Sequence, residues 1–487
     1  IKEDVDYQVA LKIYLAGNDL PGIYIEKNNK RKYFNTIDSA TQPIQNVLSL
    51  SHIVGYLSKL SEEEYKNFKN SGYLLFDSIG KLGLEKVYES VLRGQYGKKK
   101  VEVDSNGREK RVLTEDSPKP GDNLILGIDF VAQQKLQAEL QKILDKYHKN
   151  KAAAIAFNPN TGSVLALVSL PAFDNNDFSG GIKTSKYQEY LTNKNNPLFN
   201  RTASGAYPSG STIKMVVAAG ALQEGIINYN TTFLSKGGLT IDRWFFPDWL
   251  SGGHGVTNVT KAIAWSVNTF FYYIGGGYGE FNGLGVEKMK KYMEMFGLGY
   301  PTGIDLSSEE SGFIPDKNWK LRTKKEPWYI GDTYNLSIGQ GDLLVTPLQV
   351  AIWTAAVANG GKLVRPHLVD YIEDAQTKNK TEIKSQIKNI GISSANMKII
   401  KQGMGECVNY GSCGMLKYLS FSSGGKTGTA QWTDNNKQNH AWFTSFAPYD
   451  NPQIVVTVLI EEGEEGAATA LPVAYEFLKW WGSKYLR

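Results

Sequence analysis

The sequence predicts an α+β protein in which helices cover an antiparallel sheet and a smaller domain precedes that layered unit. Three observations predict it. Near the C-terminus three strand-like runs follow closely, at 426–432, 441–446 and 454–460, joined by links that suit only antiparallel neighbours. A second strand pair, 152–157 and 163–169, flanks the Asn-Pro-Asn-Thr-Gly turn at 158–162. Between them, 215–222 is a helical run without a charge, so it is expected to be buried on nearly every side.

From residue 1 to about 119 the chain is polar, lysine-rich and broken by turn signals at 17–19 and 28–30, which predicts short elements rather than one large core. Within it, Leu84, Val87, Tyr88, Val91 and Leu92 stand at helical spacing, so one amphipathic helix is expected across 79–94. Residues 101–104 alternate as a strand and 105–107 form its turn. The Pro- and Gly-rich stretch 117–121 reads as a linker, dividing a domain at 1–120 from one at 121–487. A strand at 123–129 and an amphipathic helix at 130–149 open the second domain. The region 213–360 is mostly helical in its apolar spacing, with glycine-rich loops. After the turn at 434–437 and the last strands, 471–485 puts Val473, Phe477, Leu478 and Trp481 on one helical face, expected to lie back across the sheet.

Bulk properties exclude several classes. The 487 residues can bury a large core, and 41% hydrophobic with 21% charged residues is ordinary for a globular protein. The net charge of +5, from 54 basic and 49 acidic side chains, gives no footprint for nucleic acid, though it would not oppose an anionic polymer or a membrane surface. No run approaches the ~20 apolar residues of a membrane span. The chain begins at Ile1 without Met, so an upstream segment is expected. Cys407 and Cys413 are the only cysteines; a local disulfide and two free thiols both remain open, and a thiolate zinc site is not expected. The glycines at 275–279 lack the Lys-Ser/Thr ending of a phosphate loop. Asp242, Asp248 and His254 match no common metal-ligand spacing and are read as solvated loop residues. No cofactor or metal is implied.

The chemistry concentrates at Ser211. Pro208 and Gly210 mark a turn that hands over to the apolar helix, and Ser211 and Lys214, three residues apart, share one face. A serine at a helix start faces free N–H groups and the positive end of the dipole, which favours an alkoxide. A lysine made neutral by burial or by a second cation can take its proton. Ser211 is therefore read as a nucleophile and Lys214 as its base. Ser-x-x-Lys also starts at Ser78, Ser385 and Ser423, so the tetrapeptide alone is weak, but only Ser211 opens an apolar helix.

Two further patterns strengthen the reading: Ser266-Val-Asn268 in an apolar helical setting, and Lys426-Thr427-Gly428-Thr429 at the start of a strand. Taken singly, Ser266 and Asn268 read as a helix cap, Lys426 as a solvated strand residue and Gly428 as a bulge glycine. In this order the trio resembles the penicillin-recognising acyl-serine transferases. The stretches 196–201, 328–333, 337–342, 345–349 and 440–443 resemble class B penicillin-binding proteins, and 51–56, 83–89 and 92–94 are similar to the pedestal of the elongation-type penicillin-binding protein 2 family.

That resemblance implies a peptidoglycan D,D-transpeptidase in cell elongation, with a pedestal or dimerisation-type domain at 1–120 and a transpeptidase domain at 121–487. Ser211 would attack a D-Ala-D-Ala stem peptide, with Lys214 as base, Ser266 relaying the proton and Asn268 holding the peptide amide. Lys426, Thr427, Gly428 and Thr429 would receive the substrate carboxylate, and the backbone N–H groups of Ser211 and Thr429 would form the oxyanion hole. β-Lactams would acylate Ser211. The partners implied are a SEDS glycosyltransferase of the RodA type and an MreC-type scaffold. A membrane helix before Ile1 would place the catalytic domain in the periplasm. Rival readings are a serine β-lactamase, a D,D-carboxypeptidase, and a non-catalytic β-lactam sensor or scaffold.

Overall fold

The computed structural model describes residues 5–16, 20, 23, 25, 30–34, 47–105, 109–431 and 438–486. The turns expected at 17–19, 105–107 and 434–437, and most of 28–30, lie at least partly outside the described residues.

The central sheet has five strands: β1 (Ala152–Phe157), β2 (Val164–Leu170), β3 (Gly424–Gln431), β4 (Asn439–Ala447) and β5 (Ile454–Ile460). Their order is β3-β4-β5-β1-β2, antiparallel throughout, so the predicted three-strand meander and the predicted strand pair meet between β5 and β1, and β3 is left at the edge. Side chains divide between the two faces with the period of two that a strand dictates. Ala153, Ile155, Phe157, Trp442, Phe446, Val455 and Leu459 join one core cluster; Ala152, Ala154, Ala156, Phe443, Val456 and Val458 join the other.

The second cluster is closed by α1 (Phe130–Lys146), through Leu136, Leu140 and Leu144, and by the C-terminal helix Ala470–Tyr485, through Val473, Phe477, Leu478 and Trp481. That helix lies across β4 and β5 as expected. Asp129 caps α1, accepting from the backbone N–H groups of Val131 and Ala132 at 2.8 and 2.9 Å. The first cluster is covered by α2 (Lys214–Gln223), α3 (Asn268–Gly276) and neighbouring helices. Cys407 and Cys413 form a disulfide, which resolves the two readings of the pair.

Two expectations change. The single helix across 79–94 is a strand, Ser78–Gly80, followed by two short helices, Gly83–Val87 and Glu89–Leu92. Gly83 takes a positive φ, and a Cβ there would meet the Ile53 carbonyl oxygen at 2.5 Å, so close packing against 53–55 sets the break. Val87, expected on the buried face, is exposed. The mostly helical region 213–360 also carries two small two-stranded sheets, one pairing Phe233–Ser235 with Gly255–Thr257 and the other a hairpin of Gly238–Ile241 with Trp244–Pro247. These strands are only three or four residues long, too short for a scan of apolar periodicity to register.

The N-terminal region docks on the sheet domain through apolar residues, Val47, Leu50, Ile53 and Leu84, that join the first core cluster, and through polar contacts. His52 Nε2 shares a 2.9 Å hydrogen bond with the Pro197 carbonyl, Tyr88 donates to Asp305 at 3.1 Å, and the Gly83 N–H donates to Ser307 Oγ at 3.2 Å. Among the described residues no helix is long and apolar enough to cross a membrane.

Candidate active site

Ser211 lies in a 3-10 turn, Gly210–Ile213, that runs directly into α2. Residues i and i+3 eclipse in that geometry, so the turn sets Ser211 and Lys214 on one side. Residues 214–222 of α2 are all buried, as the uncharged run predicts. Gly210 has φ +50°, and a Cβ on it would stand 2.7 Å from the Thr429 carbonyl oxygen, so only glycine lets this turn approach β3 so closely. The Gly210 N–H donates to the Gly339 carbonyl at 2.9 Å, fixing the turn from the other side.

Lys214 is fully buried. Its Nζ donates to the Ser266 carbonyl at 2.7 Å, to Asn268 Oδ1 at 2.6 Å and, at 3.3 Å, to Ser266 Oγ. Lys426, also fully buried, donates to the same Ser266 Oγ at 2.9 Å and to the Thr427 carbonyl at 2.8 Å. One hydroxyl thus stands between two buried lysines. With both lone pairs of Oγ engaged, its own proton is free to point elsewhere. Ser266 adopts φ +58°, a left-handed conformation that serine rarely takes and that costs about 1–3 kcal/mol.

Burial dominates the electrostatics. It lowers the Lys214 pKa to about 7, with the negative charge of Asp248 acting in the opposite direction. Burial and repulsion from Lys214 hold Lys426 well below the usual ammonium range. Two buried ammonium groups sharing one hydroxyl repel each other, so a proton leaves one of them readily.

Thr427, Gly428 and Thr429 follow Lys426 along the edge strand. Thr427 Oγ1 shares a 2.7 Å hydrogen bond with Ser412 Oγ, and the Gly466 N–H donates to Thr429 Oγ1 at 3.4 Å. The β3–β4 register is unbroken at Gly428, so it is not a bulge residue. A Cβ there would stand 3.0 Å from both Thr212 Cγ2 and Trp442 Cβ, so the glycine admits the Ser211 turn against the sheet. Lys426 is no solvated strand residue either. The structure therefore joins Lys214, Ser266, Asn268 and Lys426 in one hydrogen-bonded set and brings the Ser211 turn against Thr429.

Comparison with known proteins gives the family. The model of the Penicillin binding protein transpeptidase domain matches residues 152–479, and that of the Penicillin-binding Protein dimerisation domain matches residues 1–126. This chain belongs to the penicillin-binding protein transpeptidases. It is 35% identical over 477 residues to the peptidoglycan D,D-transpeptidase MrdA of Escherichia coli, covering 92% of this chain and 70% of that one. Its fold matches the complex between penicillin-binding protein PBP2 and MreC from Helicobacter pylori, with a TM-score of 0.83, 30% identity and coverage of 99% and 84% of the two chains. It also matches a chain of a peptidoglycan synthase complex that coordinates polymerization and crosslinking, at TM-score 0.81 and 28% identity, covering 99% and 82%.

Others of the family-like stretches take up supporting positions in the sheet domain. Arg201 is buried and donates to Glu461 at 2.8 Å and to the Asn195 carbonyl at 2.5 Å, while Tyr207, just before the Ser211 turn, donates to the same Glu461 oxygen at 2.7 Å. Trp442 Nε1 donates to the Pro208 carbonyl at 2.9 Å, tying β4 to that turn. Gln349 and Thr346 form a capping box at the helix Pro347–Ala358.

One sequence reading is corrected here. Asp248, taken as a solvated loop residue, is buried beneath α3, while Asp242 is exposed as expected. Sequence reasoning missed Asp248 because its partners lie some way along the chain and leave no local capping signature. Ser412 was missed likewise, since only the fold of the disulfide loop sets it against Thr427.

Proposed function

We propose that this chain cross-links peptidoglycan stem peptides as a serine D,D-transpeptidase in cell elongation and shape maintenance. The observation that carries the reading is the Ser266 hydroxyl held between two buried lysines, one of which lies a single turn from Ser211.

Lys214, neutral near pH 7, takes the Ser211 proton as Oγ attacks the carbonyl between the two terminal D-alanines. The new Ser211 Oγ–carbon bond forms as the carbonyl becomes an oxyanion, held by the backbone N–H groups of Ser211 and Thr429. The carbon–nitrogen bond to the terminal D-alanine then breaks. Its amine leaves with the proton passed from Lys214 through Ser266, whose hydroxyl is hydrogen-bonded to that lysine. Asn268 holds the stem-peptide amide, and Thr427 and Thr429 on the open edge of β3 receive the substrate carboxylate. An incoming carboxylate raises the Lys426 pKa toward its ordinary value, so Lys426 becomes the counter-charge as substrate binds. An amine from a neighbouring stem peptide then attacks the acyl-enzyme, giving its proton to Lys214 and restoring the Ser211 hydroxyl. A β-lactam, whose strained amide enters the same pocket, acylates Ser211 and has no separate leaving amine to depart.

The same reading divides the chain at 120/121 into a pedestal and a transpeptidase domain, with the pedestal as the surface for an MreC-type scaffold and a SEDS glycosyltransferase of the RodA type. The substrate places the catalytic domain outside the cytoplasmic membrane, in the periplasm, and the disulfide fits an oxidising compartment.

The test supplies a pentapeptide donor ending in D-Ala-D-Ala and an amine acceptor to the parent and to Ser211→Ala. D-alanine release with formation of the cross-linked peptide, both absent from the variant, is the expected result. Release with the hydrolysed donor as sole product would make the chain a carboxypeptidase, and turnover surviving in the variant would remove Ser211 from the mechanism.

A further inference from the structure

Asp248 follows the strand Trp244–Pro247 and is 6% exposed. Its carboxylate is saturated with donors. Oδ1 accepts from the Asn268 N–H at 2.7 Å; Oδ2 accepts from Thr269 Oγ1 at 2.6 Å, Ser235 Oγ at 3.0 Å and the Thr269 N–H at 3.2 Å. Val267, the residue before α3, makes no side-chain cap, so this distant carboxylate does the work of one. The neighbouring Pro247 carbonyl accepts from Asn268 Nδ2 at 3.1 Å and from Tyr272 at 3.1 Å. Both the backbone and the amide of Asn268 are thus fixed by two consecutive residues at the end of that strand, while its Oδ1 reaches Lys214.

We propose that Asp248 is a positioning residue of the acyl-transfer site, holding Asn268 and the start of α3 so that Asn268 Oδ1 and Ser266 meet Lys214, and supplying negative charge near that buried lysine. The proposal rests on Ser211 and Lys214 acting as described above. The titratable groups that face Lys214 are Lys426 on β3, His254 before the strand Gly255–Thr257, and Asp248; Ser266, Asn268 and the Phe271 ring complete its surroundings. Asp248 acts on Lys214 against burial, favouring the charged form. Removing the charge lowers the Lys214 pKa, so the neutral base is populated at lower pH.

The test is the pH profile of Ser211 acylation by a labelled penicillin in the parent and in Asp248→Asn, which keeps the shape and one acceptor but loses the charge. The expected result is an acidic limb displaced to lower pH together with a plateau about tenfold lower, the loss of hydrogen bonds to a charged acceptor. An unmoved limb, whatever the plateau, overturns the proposal, because a merely structural support would leave the limb in place. If Asp248→Asn does not fold, Thr269→Val carries the test: it keeps the charge and removes one anchor of the carboxylate. A plateau lowered several-fold with the limb at its parent position is then expected, and an unchanged plateau overturns the proposal. Absence of acylation in the parent would instead remove the underlying reading of Ser211.

Discussion

Arg201 and Lys214 are both buried cations close to the Ser211 turn, and the fold treats them in opposite ways. Arg201 has a carboxylate at 2.8 Å and three backbone carbonyls around its guanidinium. Although burial pushes Glu461 up, Arg201, Tyr207 and Lys151 together hold its pKa below the usual carboxylate value. Lys214 has only neutral oxygens in hydrogen-bond contact, and burial lowers its pKa to about 7. A buried charge with its full partner set stays charged and holds structure. A buried lysine whose contacts are neutral gives up its proton near neutrality, which is what a base for serine requires. The contrast separates framework from chemistry without reference to any motif.

The contrast breaks most sharply at Lys214. Lys214→Ala should slow penicillin acylation by about a thousandfold, the usual contribution of a positioned base, while leaving thermal unfolding within a few degrees of the parent. Stopped-flow acylation and calorimetry on one preparation measure both halves, and a large loss of stability with modest loss of rate would invert the assignment. Arg201→Met should do the reverse. It leaves Glu461 with Lys151 at 3.3 Å and Tyr207, and should cost about 3 kcal/mol of stability in denaturant titration, with a smaller effect on the acylation rate of the protein that remains folded. The smallest effect is expected at Ser412→Ala. Loss of the single bond to Thr427 should cost about 1 kcal/mol, read as a several-fold slower acylation.

The sequence makes the sheet legible because each strand carries its own period, and β3 to β5 need only short links to declare an antiparallel meander. α2 is legible because an uncharged helix has to be buried. The helix expected at 79–94 is not, since what divides it is the approach of Gly83 to the backbone at 53–55, a contact made across the fold. The site divides along the same line. Ser211, Lys214, Ser266, Asn268 and Lys426 stand in short patterns whose order is visible in the chain, and the structure joins four of them by hydrogen bonds. Asp248 and Ser412 belong to no pattern. Their partners are set by the packing of a hairpin under α3 and by the loop closed by Cys407 and Cys413, and neither leaves a trace in local spacing.

The most direct test of the central claim is the rate of Ser211 acylation as a function of pH, followed by intact mass. The Lys214 pKa is lowered to about 7, so the base is protonated and idle below that value and free above it. The account predicts an acylation rate that rises with pH through about 7 and then levels off, in step with deprotonation of Lys214. A rate that stays flat from pH 5 to 8, or that climbs only toward the ordinary lysine range near ~10, would contradict it.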